Sequence, residues 1–79
     1  MPRYYLHIDE MDTDPDGTEL AGIDAARLEA VLAGRELLAQ AIAGGHDEAP
    51  MKILIADESG RVLEIIYMRD LLPRALREK

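Results

Sequence analysis

Hydrophobic and polar positions change period along this chain, and each change marks an element. From Arg3 to Ile8, Tyr4, Leu6 and Ile8 alternate with Arg3, Tyr5 and His7. That is the period of two expected of a half-buried strand. Asp9 to Gly17 is acidic, contains Pro15 and Gly17, and reads as a loop. Thr18 to Leu20 has the character of a short returning strand, and Gly22 breaks the chain after it. Asp24 to Ala43 is rich in Ala and Leu, free of Pro and interrupted only by Gly34, which predicts one long helix. Asp24 is placed to cap it, Ile23 and Leu28 stand at staple spacing, and Gly44-Gly45 ends it. At about 100° per residue, Glu29, Glu36 and Gln40 share one side. Val31, Gly34, Leu38 and Ile42, flanked by Leu28, Ala30 and Ala41, form the side expected to lie on a sheet. Gly34 costs helix propensity of about 1 kcal/mol relative to Ala, which close approach to a strand would offset.

Period two returns in Met51 to Ala56 and again in Val62 to Met68, around the turn Asp57-Glu58-Ser59-Gly60. The expected faces are Met51, Ile53 and Ile55 on the first strand, with Leu63, Ile65 and Tyr67 beside them on the second. A short C-terminal helix carrying Leu71, Leu72 and Leu76 comes last, started or broken at Pro73, with Arg74, Arg77 and Lys79 toward its end. The predicted fold is α+β. One long helix packs on one face of a three- to four-stranded, largely antiparallel sheet in the order β-(β)-α-β-β, within a single domain spanning 1–79.

On this register the face away from the helix carries Tyr5, His7, Lys52, Leu54, Val62, Glu64 and Ile66. An open sheet face normally turns polar, whereas this one mixes charge with large apolar groups. Two occupants compete for it. The C-terminal Leu71, Leu72 and Leu76 segment can fold back over it, or a second copy can cover it. The favoured expectation is a homodimer formed through Tyr5, His7, Leu54, Val62 and Ile66, or through a strand edge.

Composition sharpens this picture. The chain has 79 residues and contains no Cys, Phe or Trp, so its core is small and no disulfide staples it. Small unstapled domains gain stability by association. Sixteen acids against nine bases give a net charge of −7, which argues against nucleic acid or anionic membrane partners. Seven of the acids lie between Met1 and Asp24, where Arg3 is the only strong base. No apolar run approaches the roughly 20 residues that span a bilayer, and Met1-Pro2-Arg3-Tyr4 has no signal-peptide core. The expectation is a soluble cytoplasmic protein.

Candidate chemistry is sparse. Asp12, Asp14 and Asp16, with Gly17 next, match the front of a calcium loop. The pattern then fails, because Ile23 stands where a bidentate Glu belongs and Glu19 where an apolar residue belongs. A calcium- or cation-binding role for Asp12, Asp14 and Asp16 is therefore an alternative reading, and a solvated acidic loop is the plainer one. His7 and His46 have no convergent partners by spacing, and Ser59 sits in a turn without a nucleophile-elbow pattern. No catalytic set, phosphate loop or cofactor motif is present, which favours a non-enzymatic protein.

Several stretches resemble a family of small proteobacterial proteins of unknown function: Met1-Pro2-Arg3-Tyr4-Tyr5-Leu6-His7-Ile8, Asp16-Gly17-Thr18-Glu19-Leu20, Ala25-Ala26-Arg27-Leu28-Glu29-Ala30, and the Asp57-Glu58-Ser59-Gly60 turn with Val62-Leu63. An aromatic is common in that family at the position of Leu6, where this chain departs from the pattern. The resemblance spans nearly the whole chain and implies a compact bacterial α+β domain with no catalytic residues attached. A second similarity is to HicB-type antitoxins, which also run strand, Asp-Gly turn, strand and Ala-rich helix. It implies a protein partner, although this chain shows little of the second strand and no DNA-binding tail.

Overall fold

The computed structural model describes residues 1–9 and 12–77. In chain order the elements are β1 (Arg3–Ile8), β2 (Thr18–Glu19), α1 (Ile23–Ala43), β3 (Lys52–Ala56), β4 (Val62–Tyr67), a 3₁₀ segment (Met68–Leu71) and α2 (Arg74–Arg77). The expected Lys79 end of the C-terminal helix lies outside the described residues. The strands form one antiparallel sheet in the order β2-β1-β3-β4, with α1 laid across one face. β1 thus sits beside β3, a position that periodicity could not supply.

One residue explains that placement. Asp9, immediately after β1, adopts a left-handed backbone at φ 54°, which Asp tolerates better than most residues. Its Oδ1 accepts the amides of Met51 at 2.9 Å and Lys52 at 3.1 Å, and its own amide donates to the Lys52 carbonyl at 2.9 Å. The end of β1 is thereby bound to the start of β3. At the far end of β3, the Asp57 carboxylate organises the hairpin turn. Its Oδ1 accepts the Ser59 hydroxyl at 2.6 Å and the amides of Ser59 and Arg61 at 2.9 and 3.0 Å, while Gly60 supplies the positive φ of 87°.

The core lies between α1 and the sheet. Tyr4, Ala26, Ala30, Ile53, Ile55 and Met68 are buried there, with Leu6, Ile8, Leu37, Ile66 and Leu71 packed around them. Only Ile53 and Ile55 are large side chains sealed completely from solvent, which is a thin core even for 79 residues.

The seat of α1 differs from the expected one. The helix begins at Ile23 after an extended Gly22, and no side chain caps it. Asp24 lies inside the first turn and accepts from Arg27 Nη1 at 2.7 Å instead of acting as N-cap. The buried face is the small-residue strip Ala26, Ala30, Gly34 and Ala41, while Leu28 and Ile42 remain exposed. Small residues let the helix axis approach Ile53 and Ile55 closely, and the bulky residues are left aside. At Gly34, the nearest obstacles to an added Cβ are Leu71 and Met68 of the 3₁₀ segment, with the Ile53 Cδ1 farther off at 3.6 Å. Its close approach is therefore chiefly to that segment and not to a strand.

The second correction concerns β4. Ile53 pairs with Ile66 and Ile55 with Glu64, but Ala56 pairs with Val62, so one extra residue is accommodated at a bulge beside Ile55 and Ala56. A single-residue shift moves every later side chain to the opposite face. Glu64 and Ile66 consequently face α1, whereas Leu63, Ile65 and Tyr67 take the other side. Ile66 therefore leaves the expected interface set and joins the core margin.

Candidate functional site

The uncovered face of the sheet can now be assembled row by row. Tyr5 pairs with Ala56 and Ala56 with Val62, His7 pairs with Leu54 and Leu54 with Ile65, and Lys52 pairs with Tyr67. Tyr5 and His7, two residues apart on β1, stack with ring centroids 6.4 Å apart and planes at 21°. The site therefore contains Tyr5, His7, Leu54 and Val62 from the expected set and loses Ile66. It gains Ile65, Leu63 and Tyr67, which only the bulge brings to this side. Val62, Leu63, Ile65 and Tyr67 each keep between 38% and 48% of their surface in solvent. β4 is also the outermost strand, paired only with β3, and it contains no Pro or Lys to blunt its edge.

The C-terminal segment does not close this face. Leu71 packs from the helix side, next to Gly34 and the buried cluster, and Leu76 is exposed. Where the segment leaves β4 it borders a groove of about 730 Å³ whose walls include Leu38, Pro50, Met51, Met68 and Leu72, with Lys52 and Arg69 at its margin.

Arg27 and Glu64 hold the two layers together at the β4 side. Arg27 Nε donates to Glu64 Oε2 at 2.7 Å and Nη2 to Oε1 at 2.8 Å, a forked pair, while Nη1 holds Asp24. The hydrogen bonds from the guanidinium, and then its charge, lower the Glu64 pKa, and burial opposes them. The Asp57 pKa is lowered too, first by the Ser59 hydroxyl and next by the Arg61 amide.

The acidic loop is spent on its own backbone. Asp14 Oδ1 accepts the amides of Asp16 and Gly17 at 3.3 and 3.1 Å, and Oδ2 accepts the Leu6 amide at 3.3 Å. The Asp14 amide donates to His7 Nδ1 at 3.0 Å, fixing the imidazole against the loop. Asp12 forms an isolated bridge with Ile8 through backbone groups. Among the described residues, Asp12, Asp14 and Asp16 do not converge, and no group of three or more His, Asp or Glu side chains is arranged to hold a metal ion. His46 and Ser59 lie apart from one another, in the segment after α1 and in the hairpin turn.

Residues 3–69 match the family described as a domain of unknown function, DUF6894. The chain belongs to that family. This agrees with the resemblance carried by the Pro-Arg-Tyr strand, acidic loop, helix and hairpin. No curated protein and no solved structure matches the chain significantly. No helix among the described residues is long and apolar enough to cross a membrane.

Proposed function

We propose that this DUF6894 member is a non-enzymatic interaction module that associates with a second copy of itself through the uncovered sheet face and the β4 edge. The observation that carries the reading is the apolar row structure of that face. Leu54, Val62, Leu63, Ile65 and Tyr67 adjoin across two strands and run to an unpaired edge. Contiguous apolar surface rimmed by polar groups is the usual mark of an interaction site. The thin core supports the same conclusion, since burial against a partner adds to what a 79-residue chain can bury alone.

The test is molar mass by light scattering behind size exclusion, at several concentrations, for wild type and for Leu54→Asp and Ile65→Asp. Ile65 is half exposed on an edge strand, so its substitution leaves the core intact. The expected outcome is an associating wild type and variants of lower mass with unchanged circular dichroism. Variants that keep the wild-type mass and dissociation constant would remove the proposal.

A further inference from the structure

The side of α1 that points away from the sheet carries a second apolar stripe. Leu28, Leu32 and Ile42 retain 60%, 50% and 70% of their surface in solvent, and Ala39 is exposed between them. With Ala25 at one end and Arg35 in the middle, the positions 25, 28, 32, 35, 39 and 42 step by three and four residues alternately. This is the seam that coiled-coil helices present to one another, narrower than a face made to lie on a sheet. It lies opposite the Ala26, Ala30 and Gly34 strip, so α1 is apolar on two sides and polar along the flank of Glu29, Glu36 and Gln40.

We infer that this outer stripe is a second self-association surface, packing antiparallel against the same stripe of another copy. The spacing calls for a helix as the occupant, and the charges select the copy and its direction. Arg35 and Glu36 make no hydrogen bond or ion pair among the described residues. A two-fold antiparallel pairing about the middle of the stripe brings each Arg35 within about one helical turn of the partner's Glu36, twice by symmetry. A parallel pairing would place Arg35 on Arg35 at the centre of the seam. The stripe runs from position 28 to position 42, about 21 Å of helix, and is flanked by small Ala residues that admit a close neighbour.

The surface is independent of the sheet face, and the two lie on opposite layers of the molecule. Two different two-fold contacts on one chain build assemblies larger than a dimer. Light scattering over a wide concentration range separates them. Leu32→Glu should weaken the helix contact at least ~tenfold and leave the sheet-face assembly, because Leu32 is exposed and outside the core. Arg35→Glu should weaken it as well, and adding Glu36→Arg to that variant should restore it. Leu32→Glu combined with Ile65→Asp should give a monomer. If Leu32→Glu and Arg35→Glu both keep the wild-type mass and dissociation constant, the inference falls. A wild type that is monomeric throughout overturns both surfaces. Loss of mass in Leu32→Glu but none in Ile65→Asp upholds the helix contact and removes the sheet-face reading. Failure of Glu36→Arg to restore Arg35→Glu overturns the antiparallel pairing.

Discussion

At the scale of single residues, the acidic side chains of this protein work mainly as acceptors for its own backbone. Asp9, Asp14 and Asp57 each take two or more amide or hydroxyl hydrogens at a place where the chain changes direction. Asp9 matters most, because its bonds join segments more than forty residues apart and fix β3 beside β1. Asp9→Ala loses both acceptors and the tolerance for positive φ, and should cost about 1–3 kcal/mol in urea denaturation. Asp9→Asn keeps an acceptor oxygen and the same backbone freedom, and should lose clearly less. Gly34 is a different kind of constraint. Gly34→Ala gains helix propensity but presses on the flexible ends of Leu71 and Met68, so the two effects nearly offset. Gly34→Leu should overpack the same spot and cost about 1–3 kcal/mol by the same measurement.

At the scale of elements, two shifts decide which surfaces are free. The bulge in the β3–β4 hairpin turns Glu64 and Ile66 inward and Leu63, Ile65 and Tyr67 outward. The turn of α1 onto its small residues leaves Leu28, Leu32 and Ile42 in solvent. The Arg27–Glu64 fork fits both shifts, since it needs Glu64 on the helix side and Arg27 over β4. It also carries a pH dependence. The Glu64 pKa is lower in the folded chain than the unfolded value of about 4.3, so its contribution is complete above that pH. As pH falls through that value toward the folded one, protonation removes the contribution, and Asp57 adds the same sign from about 3.9 downward. Melting temperature should therefore fall on acidification below about pH 4.3, more steeply in wild type than in Glu64→Gln.

At the scale of the whole molecule, the protein is two layers with apolar groups on both outer surfaces. A chain of 79 residues with two fully buried large side chains has little hydrophobic stabilisation to spare. Association through either surface would bury more without lengthening the chain. The net charge of −7 works against any such contact at long range and gives nonspecific assembly a cost. The contacts proposed for the sheet and the helix therefore depend on local complementarity: apolar rows with an unpaired edge in one case, a three-four seam with Arg35 and Glu36 in the other.

Much of the architecture is written locally. The elements, their order and the α+β class come from the change between period two and the helical period, since side-chain spacing reports directly which positions share a face. The same alternation assigns Tyr5, His7 and Leu54 to the open side, and residue chemistry assigns the turn at Asp57 to Gly60. The tertiary structure alone decided the position of β1 beside β3, the side shown by β4 and the seat of α1. Each depends on pairing between distant segments: the Asp9 carboxylate meeting Met51 and Lys52, one bulged residue reversing a strand, and a strip of Ala and Gly packing closely on Ile53 and Ile55. A pattern of hydrophobic positions records how often a face recurs, and α1 offers two such faces. Which one is buried is settled by the shape of the sheet it meets.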